Sequence, residues 1–258
     1  DLLIVHKTAL GETETFERIL ASDIDVIDLA EAYETILYRI PVHFIDSHWI
    51  IHSIRKQASW AYDLLSRTIS IAFGIAILVI TSPISLAIAI AIKIEDGKQL
   101  FIRQERTGLG GKTFKLYKFR SMIVLGADGQ AETGQAVWSH GSRDPRVTRV
   151  GSITRKLHVD EIPQMINLIR GDINLVGPRP ERPEFVADLE KEIPYYFMRH
   201  TITPGFTGWA QINGRDFVTI ERRVALEKEY IEKRSFFFDV YVFLKTIPKV
   251  LFKKDIVH

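Results

Sequence analysis

The sequence contains no cysteine, so disulfide bonds and cysteine metal sites are excluded along all 258 residues. A chain without cysteine is compatible with a reducing compartment. An excess of one charge is also missing, because 34 basic and 32 acidic residues leave a net charge of +2. General nucleic-acid-binding proteins usually carry a larger basic excess, concentrated on one face. We therefore expect no nucleic-acid partner.

Several familiar phosphate signatures are absent as well. The chain has neither the GxxxxGK[ST] string of a P-loop nor the GxGxxG string of a dinucleotide-binding turn. It also lacks DxDx[TV], the arrangement that we would expect around the nucleophile of a phosphatase working through a phospho-aspartate. Repeats and low-complexity tracts are not visible. Any phosphate chemistry must therefore lie in other motifs.

The chain divides by composition into four parts. Residues 1–52 alternate short apolar runs with helix-like stretches, which predicts the C-terminal part of a Rossmann-like α/β module. Residues 53–67 form a linker and an amphipathic lead-in to an apolar segment, 68–92. Residues 93–258 are polar and rich in glycine, proline, arginine and lysine, as expected of a domain on a membrane surface. Because the chain opens on Asp1 rather than methionine, we also expect an upstream region.

Residues 68–92 carry no charge for 25 residues. At about 1.5 Å per residue, a helix of that length could cross a hydrocarbon core of roughly 30 Å. A cleavable signal peptide does not fit, because about 67 residues precede the segment. We predict a mature membrane element.

Ser82-Pro83 interrupts this segment. Proline at 83 leaves the carbonyl of Val79 without its helical donor and predicts a kink, and the Ser82 hydroxyl can satisfy part of the freed backbone. Both flanks are basic, with Arg67 before and Lys93 after, so the positive-inside preference draws both ends to the cytoplasmic side. We predict a re-entrant membrane helix that bends at Ser82-Pro83; a bent spanning helix is the alternative.

The last apolar stretch, Ser235 to Lys254, mixes aromatic and aliphatic residues with four lysines. This composition suits a helix lying in the headgroup region, with its cations toward anionic lipid. An amphipathic helix packed into the protein core is an equal alternative.

A cation-rich stretch, Phe101 to Met122, surrounds a Gly108–Gly111 turn. Such a loop can present backbone N–H groups and cations to phosphates. The alternative is a hairpin with solvated charges. The cations of this stretch are Arg103, Arg106, Lys112, Lys115, Lys118 and Arg120.

The Asp160-Glu161 pair stands at the start of a predicted helix that Gly171 is placed to end. The apolar residues Ile162, Met165, Ile166 and Ile169 fit one face of that helix, and Pro163 is tolerable in its first turn. At a helix N-terminus the dipole favours an ionised Asp160, which beside Arg155 and Lys156 could accept a phosphoryl group. A plain N-cap aspartate is the alternative.

Two further loops carry candidate binding residues. In NLVGPRPERPEF, Asn174 to Phe185, three prolines and a glycine fix the backbone around Arg179, which suits bidentate phosphate recognition. In TPGFTGWAQINGRD, Thr203 to Asp216, the residue types could stack on and hydrogen-bond a nucleobase or sugar. A stiff structural loop and a packed loop are the respective alternatives.

Six motifs follow one another in order: the apolar segment with Ser82-Pro83, FIRQERTGLGGKTFKLYKFRSM, DPRVTRVG, LHVDEIPQ, GDINLVGPRPERPEF and PGFTGWAQINGR. Together they closely resemble the monotopic phosphoglycosyl transferases of bacterial polysaccharide initiation, over roughly residues 58–258. The resemblance implies an α+β, mostly helical catalytic domain with a re-entrant membrane helix and interfacial amphipathic helices. Residues 1–52 resemble the end of the Rossmann-like module that precedes this domain in larger members.

The resemblance also implies a reaction. Asp160 would attack a UDP-sugar, release UMP and pass the sugar phosphate to undecaprenyl phosphate. Mg²⁺ is the implied cofactor, with Asp160 and Glu161 as its ligands, although Glu161 could equally be a helper base. The implied phosphate- and substrate-binding residues are Arg103, Lys118, Arg120, Arg155, Arg179, Glu184, Gln211 and Arg215.

Implied partners are a UDP-sugar, undecaprenyl phosphate and membrane lipid at the cytoplasmic face of a bacterial inner membrane. The oligomeric state is open, with a homodimer as one option. Glucose or galactose is the expected sugar, with N-acetylated sugars open. A catalytically silent membrane scaffold is the alternative function, against which the intact Asp160-Glu161 pair argues. Two positions depart from the family pattern, since Glu227 stands where relatives often have Asp and Arg234 precedes Ser235 where many have Trp.

Overall fold

Two short N-terminal strands, β1 (Leu2–Val5) and β2 (Asp25–Asp28), pair in parallel in the computed structural model. Parallel neighbours require a crossover connection, as in an α/β unit. The structure describes residues 2–5, 25–29, 32, 59–123, 146–193, 195–213 and 219–252. The rest of residues 1–52 and the linker at 53–58 lie outside these ranges, so the Rossmann-like module stays a prediction.

The apolar segment forms two helices, α1 (Trp60–Ile80) and α2 (Ser82–Asp96). Helix α1 begins before the uncharged segment because Ser59 caps it, with its hydroxyl accepting from the amide of Tyr62 at 3.3 Å. The predicted lead-in is therefore partly continuous with the membrane helix. By length and composition, α1 could cross a membrane.

The break between α1 and α2 lies where the proline predicts it. Thr81 leaves the helical region at φ −90° and ψ 2°. The Ser82 hydroxyl donates to the carbonyl of Val79 at 2.8 Å, so the hydroxyl takes the role expected of it. The Thr81 hydroxyl donates to Ile77 in the same way, at 2.6 Å. The kink is confirmed, whereas the re-entrant path through lipid stays a prediction.

The cation-rich stretch is an antiparallel hairpin of β3 (Phe101–Thr107) and β4 (Thr113–Phe119), joined by the turn Leu109–Gly111. Ile102 pairs with Lys118, so side chains alternate between two faces from that register. The face that turns toward the protein carries Ile102, Gln104, Arg106, Phe114, Leu116 and Lys118.

Two short helices enclose the acidic pair: α3 (Arg149–Lys156) and α4 (Gln164–Arg170), with a 3₁₀ turn at Val159–Glu161 between them. Gly171 ends α4 with φ 91°, as predicted. The buried face of α4 is rotated from the predicted one. Met165 is buried as expected, but Ile162, Ile166 and Ile169 are only half-buried, while Gln164, Asn167 and Leu168 are inside.

The remaining described elements are β5 (Asn174–Val176), α5 (Pro183–Glu192), a 3₁₀ turn (Tyr196–His200), β6 (Gly205–Thr207), α6 (Trp209–Ile212), α7 (Ile220–Lys233) and α8 (Phe236–Phe252). β5 and β6 pair in parallel. The described chain is therefore mixed and mostly helical, which confirms the predicted fold class at that level.

The main core lies between α1 and the polar domain. Helix α1 approaches α4 at Gly74, where an added Cβ would lie 3.0 Å from Cγ1 of Ile169 and 3.2 Å from the carbonyl of Met165. Helix α8 joins the same core through Val242, which is fully buried. Its Phe237 is exposed, so α8 packs on the core with one face and leaves an apolar face that suits lipid.

Candidate active site

The acidic pair sits on a turn held by apolar neighbours. His158 adopts the left-handed conformation at φ 57°, which is uncommon for a residue other than glycine, and the 3₁₀ turn follows it. Val159 and Ile162 flank the acidic pair and pack on an apolar cluster made of Ile88 and Ile92 of α2 and Phe119 of β4. Apolar packing shared by the hairpin and the second apolar helix therefore holds the turn that carries the two carboxylates.

Glu161 is ion-paired with the hairpin. The Nζ of Lys118 donates to Oε1 of Glu161 at 2.7 Å. Burial by itself would raise the pKa of Glu161, but Lys118 and then Arg179 outweigh it and lower this pKa to about 2. Glu161 is therefore a carboxylate at any physiological pH.

Asp160 has the opposite electrostatic environment. It is buried, with 8% of its surface exposed. Burial and then the charge of Glu161 raise the pKa of Asp160, while Lys118 and Arg155 oppose the rise. We expected a helix dipole to favour the ionised form. The structure corrects this expectation, because Asp160 lies in a separate 3₁₀ turn before a helix of only seven residues.

A cationic loop, residues 177–182, faces the acidic turn. Arg179 is exposed between the buried prolines Pro178 and Pro180, so its backbone is fixed while its side chain is accessible. Its effect on the pKa of Glu161 places the guanidinium near that carboxylate. Arg106, on the inner face of the hairpin, lies beside the same loop. Burial and then Arg179 lower its pKa to about 10.

The structure thus brings Lys118, Arg155 and Arg179 to Asp160 and Glu161, as predicted. It does not bring Arg103 or Arg120 to them. Arg103 pairs with Tyr117 on the opposite face of the hairpin from Lys118, with its guanidinium 5.6 Å from the Tyr117 ring centre. Arg120, only 1% exposed, directs both Nη atoms onto the carboxylate of Asp96 at the end of α2. Arg103 and Arg120 therefore have structural roles, in contact with Tyr117 and Asp96 respectively.

Two other predicted residues lie at the margin of the cluster. Glu184 is in the first turn of α5, where its own backbone N–H and then Arg182 lower its pKa. Gln211 lines a small cavity of about 10 Å³ whose wall includes Arg179. Arg215 lies outside the described residues, so its role stays a prediction.

Two other residues that shape the site, Arg106 and Asn167, are not among the binding residues that the resemblance implies. Arg106 shares the inner face of the hairpin with Lys118, a relation that becomes visible only with the strand register. Asn167 is fully buried and joins α4 to the free edge of β4: its Oδ1 accepts from the Tyr117 amide at 3.0 Å and its Nδ2 donates to the Lys115 carbonyl at 2.8 Å. No sequence signal distinguishes this asparagine from a surface one.

The acidic pair fits Mg²⁺ in its donor chemistry. The described residues contain no group of three or more His, Asp or Glu side chains that could hold a metal. Mg²⁺, however, is usually bound through one or two carboxylates, with waters and substrate phosphates completing its shell. Asp160 and Glu161 supply that number of carboxylates, although Lys118 competes for Glu161.

A buried carboxylate beside cations can attack phosphorus while the cations neutralise the phosphate oxygens. Such an arrangement, in a chain whose helix α1 is long and apolar enough to cross a membrane, is typical of a class of phosphoryl-transfer proteins that act at membranes. The sequence model of the bacterial sugar transferase family matches residues 61–253, so the chain belongs to that family.

Three relatives illustrate the similarity. A UDP-N-acetylgalactosamine-undecaprenyl-phosphate N-acetylgalactosaminephosphotransferase of Aeromonas hydrophila is 34% identical over 245 residues, 93% of this chain and 56% of that protein. A UDP-glucose:undecaprenyl-phosphate glucose-1-phosphate transferase of Escherichia coli K12 is 38% identical over 191 residues, 72% of this chain and 40% of that protein. The chain thus spans about half the length of these two relatives. The uncharacterized sugar transferase EpsL of Bacillus subtilis is 37% identical over 194 residues, 75% of this chain and 90% of that protein.

Proposed function

We propose that the protein transfers a hexose 1-phosphate from a UDP-sugar to undecaprenyl phosphate and releases UMP. The observation that carries the proposal is the buried Asp160 beside Glu161, with Lys118, Arg155 and Arg179 around the pair. The names of the similar proteins describe the same class of reaction. The protein would catalyse the first membrane step of exopolysaccharide or capsule synthesis.

In the first step an Oδ atom of Asp160 attacks the sugar-bearing β-phosphorus of the donor. A carboxylate–phosphorus bond forms, the bond from that phosphorus to the bridging oxygen breaks, and UMP leaves with the electron pair. The result is a glycosyl-phosphoryl aspartate. Lys118 and Arg179 are positioned to neutralise charge on the phosphates, which favours attack by an anion.

In the second step a phosphate oxygen of undecaprenyl phosphate attacks the same phosphorus. The bond from phosphorus to Asp160 breaks, the carboxylate is restored, and the lipid diphosphate sugar leaves. Ping-pong kinetics follow from this order. A re-entrant α1–α2 pair would hold Asp160 at the depth of the lipid headgroup on the cytoplasmic face of the inner membrane, since Val159 and Ile162 of the acidic turn pack on the apolar cluster to which α2 contributes Ile88 and Ile92.

Asp160 and Glu161 would hold Mg²⁺, which when bound supplies charge neutralisation for the donor diphosphate. The role of Glu161 depends on Lys118, because their ion pair keeps Glu161 ionised and oriented. An ionised carboxylate suits a metal ion, whereas a general base requires a pKa nearer neutrality. The low pKa of Glu161 therefore favours the metal-ligand role over proton transfer.

The sugar is the open part of the proposal. Similar proteins are named for N-acetylgalactosamine, glucose and galactose. We propose glucose or galactose and test the N-acetylated donors beside them.

The decisive experiment is to incubate the detergent-solubilised protein with Mg²⁺ and UDP-glucose labelled at the β-phosphate, without lipid acceptor. We expect label on the wild-type chain and none on Asp160→Asn, because an amide cannot form the acyl phosphate. Addition of undecaprenyl phosphate should move the label to lipid. UDP-galactose and both N-acetylated donors are run in parallel to identify the sugar.

The matched control is Asp188→Asn, which neutralises an exposed aspartate of α5 paired with Lys191. It should label as the wild type does. Turnover by Asp160→Asn would refute the assigned nucleophile. Nucleotide binding by the wild type without label from any donor would favour the silent scaffold.

A further inference from the structure

A buried ion pair lies behind the cationic loop and is not part of the proposed chemistry. Nη2 of Arg199 lies 2.8 Å from Oε1 of Glu227, and the two side chains are 2% and 3% exposed. The same Nη2 donates to the carbonyl of Arg179 at 2.7 Å. Nη1 of Arg199 donates to the hydroxyl of Tyr196. One guanidinium thus joins a buried carboxylate to the backbone of the arginine that faces Glu161.

The next two carbonyls of the loop are held in the same manner. Nη1 of Arg106 donates to the carbonyl of Pro180 at 3.2 Å, and the amide of Thr107 donates to the carbonyl of Glu181 at 2.8 Å. The Glu181 carboxylate accepts from Arg223 at 3.0 Å. Three successive carbonyls therefore have donors within the protein, while Arg179 itself remains exposed.

Glu227 also lies close to the loop. It lines the same small cavity as Pro178, Arg179 and Gln211. The pair therefore stands where the cationic loop meets α6, and a shift of Arg199 would move the loop backbone directly.

We propose that Arg199 and Glu227 are positioning residues for Arg179. Arg199 fixes the Arg179 carbonyl, and Glu227 holds Arg199 in place, so that the Arg179 guanidinium meets the donor phosphates beside Glu161. The proposal rests on the proposed function, since it assigns the way in which that site is held in geometry.

Stability does not explain this arrangement. A buried ion pair can often be replaced by apolar residues of similar volume without loss of stability, because the desolvation of both charges offsets their attraction. A lysine at 199 would also be a poor substitute, because a single ammonium cannot reproduce the planar fork that meets a carboxylate, a hydroxyl and a carbonyl together. The Arg199 guanidinium therefore serves to orient the cationic loop.

The test uses a double variant, Arg199→Met with Glu227→Leu, so that neither charge is left buried alone. We expect it to unfold cooperatively near the wild-type temperature. The rate of UMP release with the donor should nevertheless fall by about a hundredfold, the scale reported for a misplacement of about 1 Å in an active site. The single variant Glu227→Asp, which keeps the carboxylate beside Arg199, should retain most of the wild-type rate.

The discriminating measurement adds Arg179→Ala to the double variant. If the pair acts through Arg179, its removal in that background should change the rate by less than about twofold, because the guanidinium is already misplaced. If Arg179→Ala causes its full wild-type loss in the double variant, the two effects are independent and the proposal is wrong. A double variant with the wild-type rate would also overturn it.

The matched control is the neighbouring pair on α7, Lys228 and Glu232, which are 3.4 Å apart within the same helix. Lys228→Met with Glu232→Gln should leave the rate unchanged. Failure of the proposed function has a different signature, since the wild type would then release no UMP with any donor. In that case the affinity for UDP is measured instead. The positioning role is supported if Arg179→Ala, the double variant and the triple variant all lower the affinity for UDP by the same factor. It is refuted if the losses of affinity add in the triple variant.

Discussion

The acidic turn and the cationic loop face each other, but they are held by different means. The acidic turn, residues 158–162, is anchored by Val159 and Ile162 on the apolar cluster of Ile88, Ile92 and Phe119, and Lys118 lowers the pKa of both of its carboxylates. The cationic loop, residues 177–182, is held through its backbone by buried donors.

The two regions therefore have different roles, since the surroundings of the acidic turn set the pKa values of its carboxylates and the cationic loop positions Arg179. Changes near the acidic turn should alter protonation and pH dependence, because Asp160 and Glu161 have pKa values shifted in opposite directions. Changes in the cationic loop should alter binding geometry with little effect on pH dependence. The following variants test that contrast.

Arg179→Ala should have the largest effect among them. A charge-assisted hydrogen bond to phosphate contributes about 1.5–3 kcal/mol, so kcat/KM for the donor should fall by roughly tenfold to a hundredfold. The acid limb of the pH profile should keep its position, because burial, Glu161, Lys118 and Arg155 set the pKa of Asp160 and Arg179 is not among its causes. Steady-state kinetics at several pH values check both points, with the exposed Lys191→Ala as control. Unchanged KM and kcat would remove Arg179 from the site.

Lys118→Met should act on pH dependence. Lys118 lowers the pKa of Asp160, so its removal raises that pKa further. Because Asp160 must be ionised to attack, the acid limb of the rate profile should move to higher pH, with about a tenfold loss of rate for each pKa unit at pH below the limb. The pKa of Glu161 should also rise, because Lys118 lowers it in the wild type.

The control for this variant lies on the same strand. Lys115→Met removes a lysine whose side chain lies on the outer face of the hairpin, three residues from Lys118. Its acid limb should coincide with that of the wild type. An unshifted limb in Lys118→Met would show that the lysine does not control Asp160, and the tuning role of the acidic turn would be lost.

Asn167→Ala should affect stability more than chemistry. The change leaves the Tyr117 amide and the Lys115 carbonyl without their partner at the edge of β4. Leaving a buried polar group unsatisfied costs about 1–3 kcal/mol in the free energy of unfolding. Urea denaturation measures this, with the exposed Asn213→Ala, expected within about 0.5 kcal/mol of the wild type, as control. Equal stabilities would show that α4 is held by its apolar face alone.

Local rules predicted the parts of the fold that depend on neighbouring residues. Gly171 ends α4 because its backbone requires a positive φ, and the kink at Ser82-Pro83 follows from a missing amide donor. The acidic pair and Arg179 were proposed through the resemblance of their motifs to the family, and their roles stay predictions. The end of α4 and the kink are each determined by a few neighbouring residues.

Residues that act across the fold were not predictable in this way. Arg199 meets Glu227 28 residues away, and Asn167 meets Tyr117 50 residues away. Neither distance leaves a periodic signal. The acidic pair was expected at a helix N-terminus, but His158 inserts a separate turn, and only the three-dimensional structure reveals that Asp160 is tuned by burial instead.

The smallest effect should come from Arg103→Gln. The sequence groups Arg103 with Lys118 as a phosphate ligand, but the register places its guanidinium over Tyr117 on the outer face of the hairpin. The exposed cation–π contact contributes about 0.5–1 kcal/mol, so a small loss of stability is expected and kcat/KM should stay within about twofold of the wild type. Arg106→Gln is the matched comparison, because Arg106 lies on the inner face beside Arg179 and should reduce the rate. If Arg103→Gln lost as much activity as Arg106→Gln, both faces of the hairpin would contribute to the site, and the assignment of phosphate contacts to the inner face would be wrong.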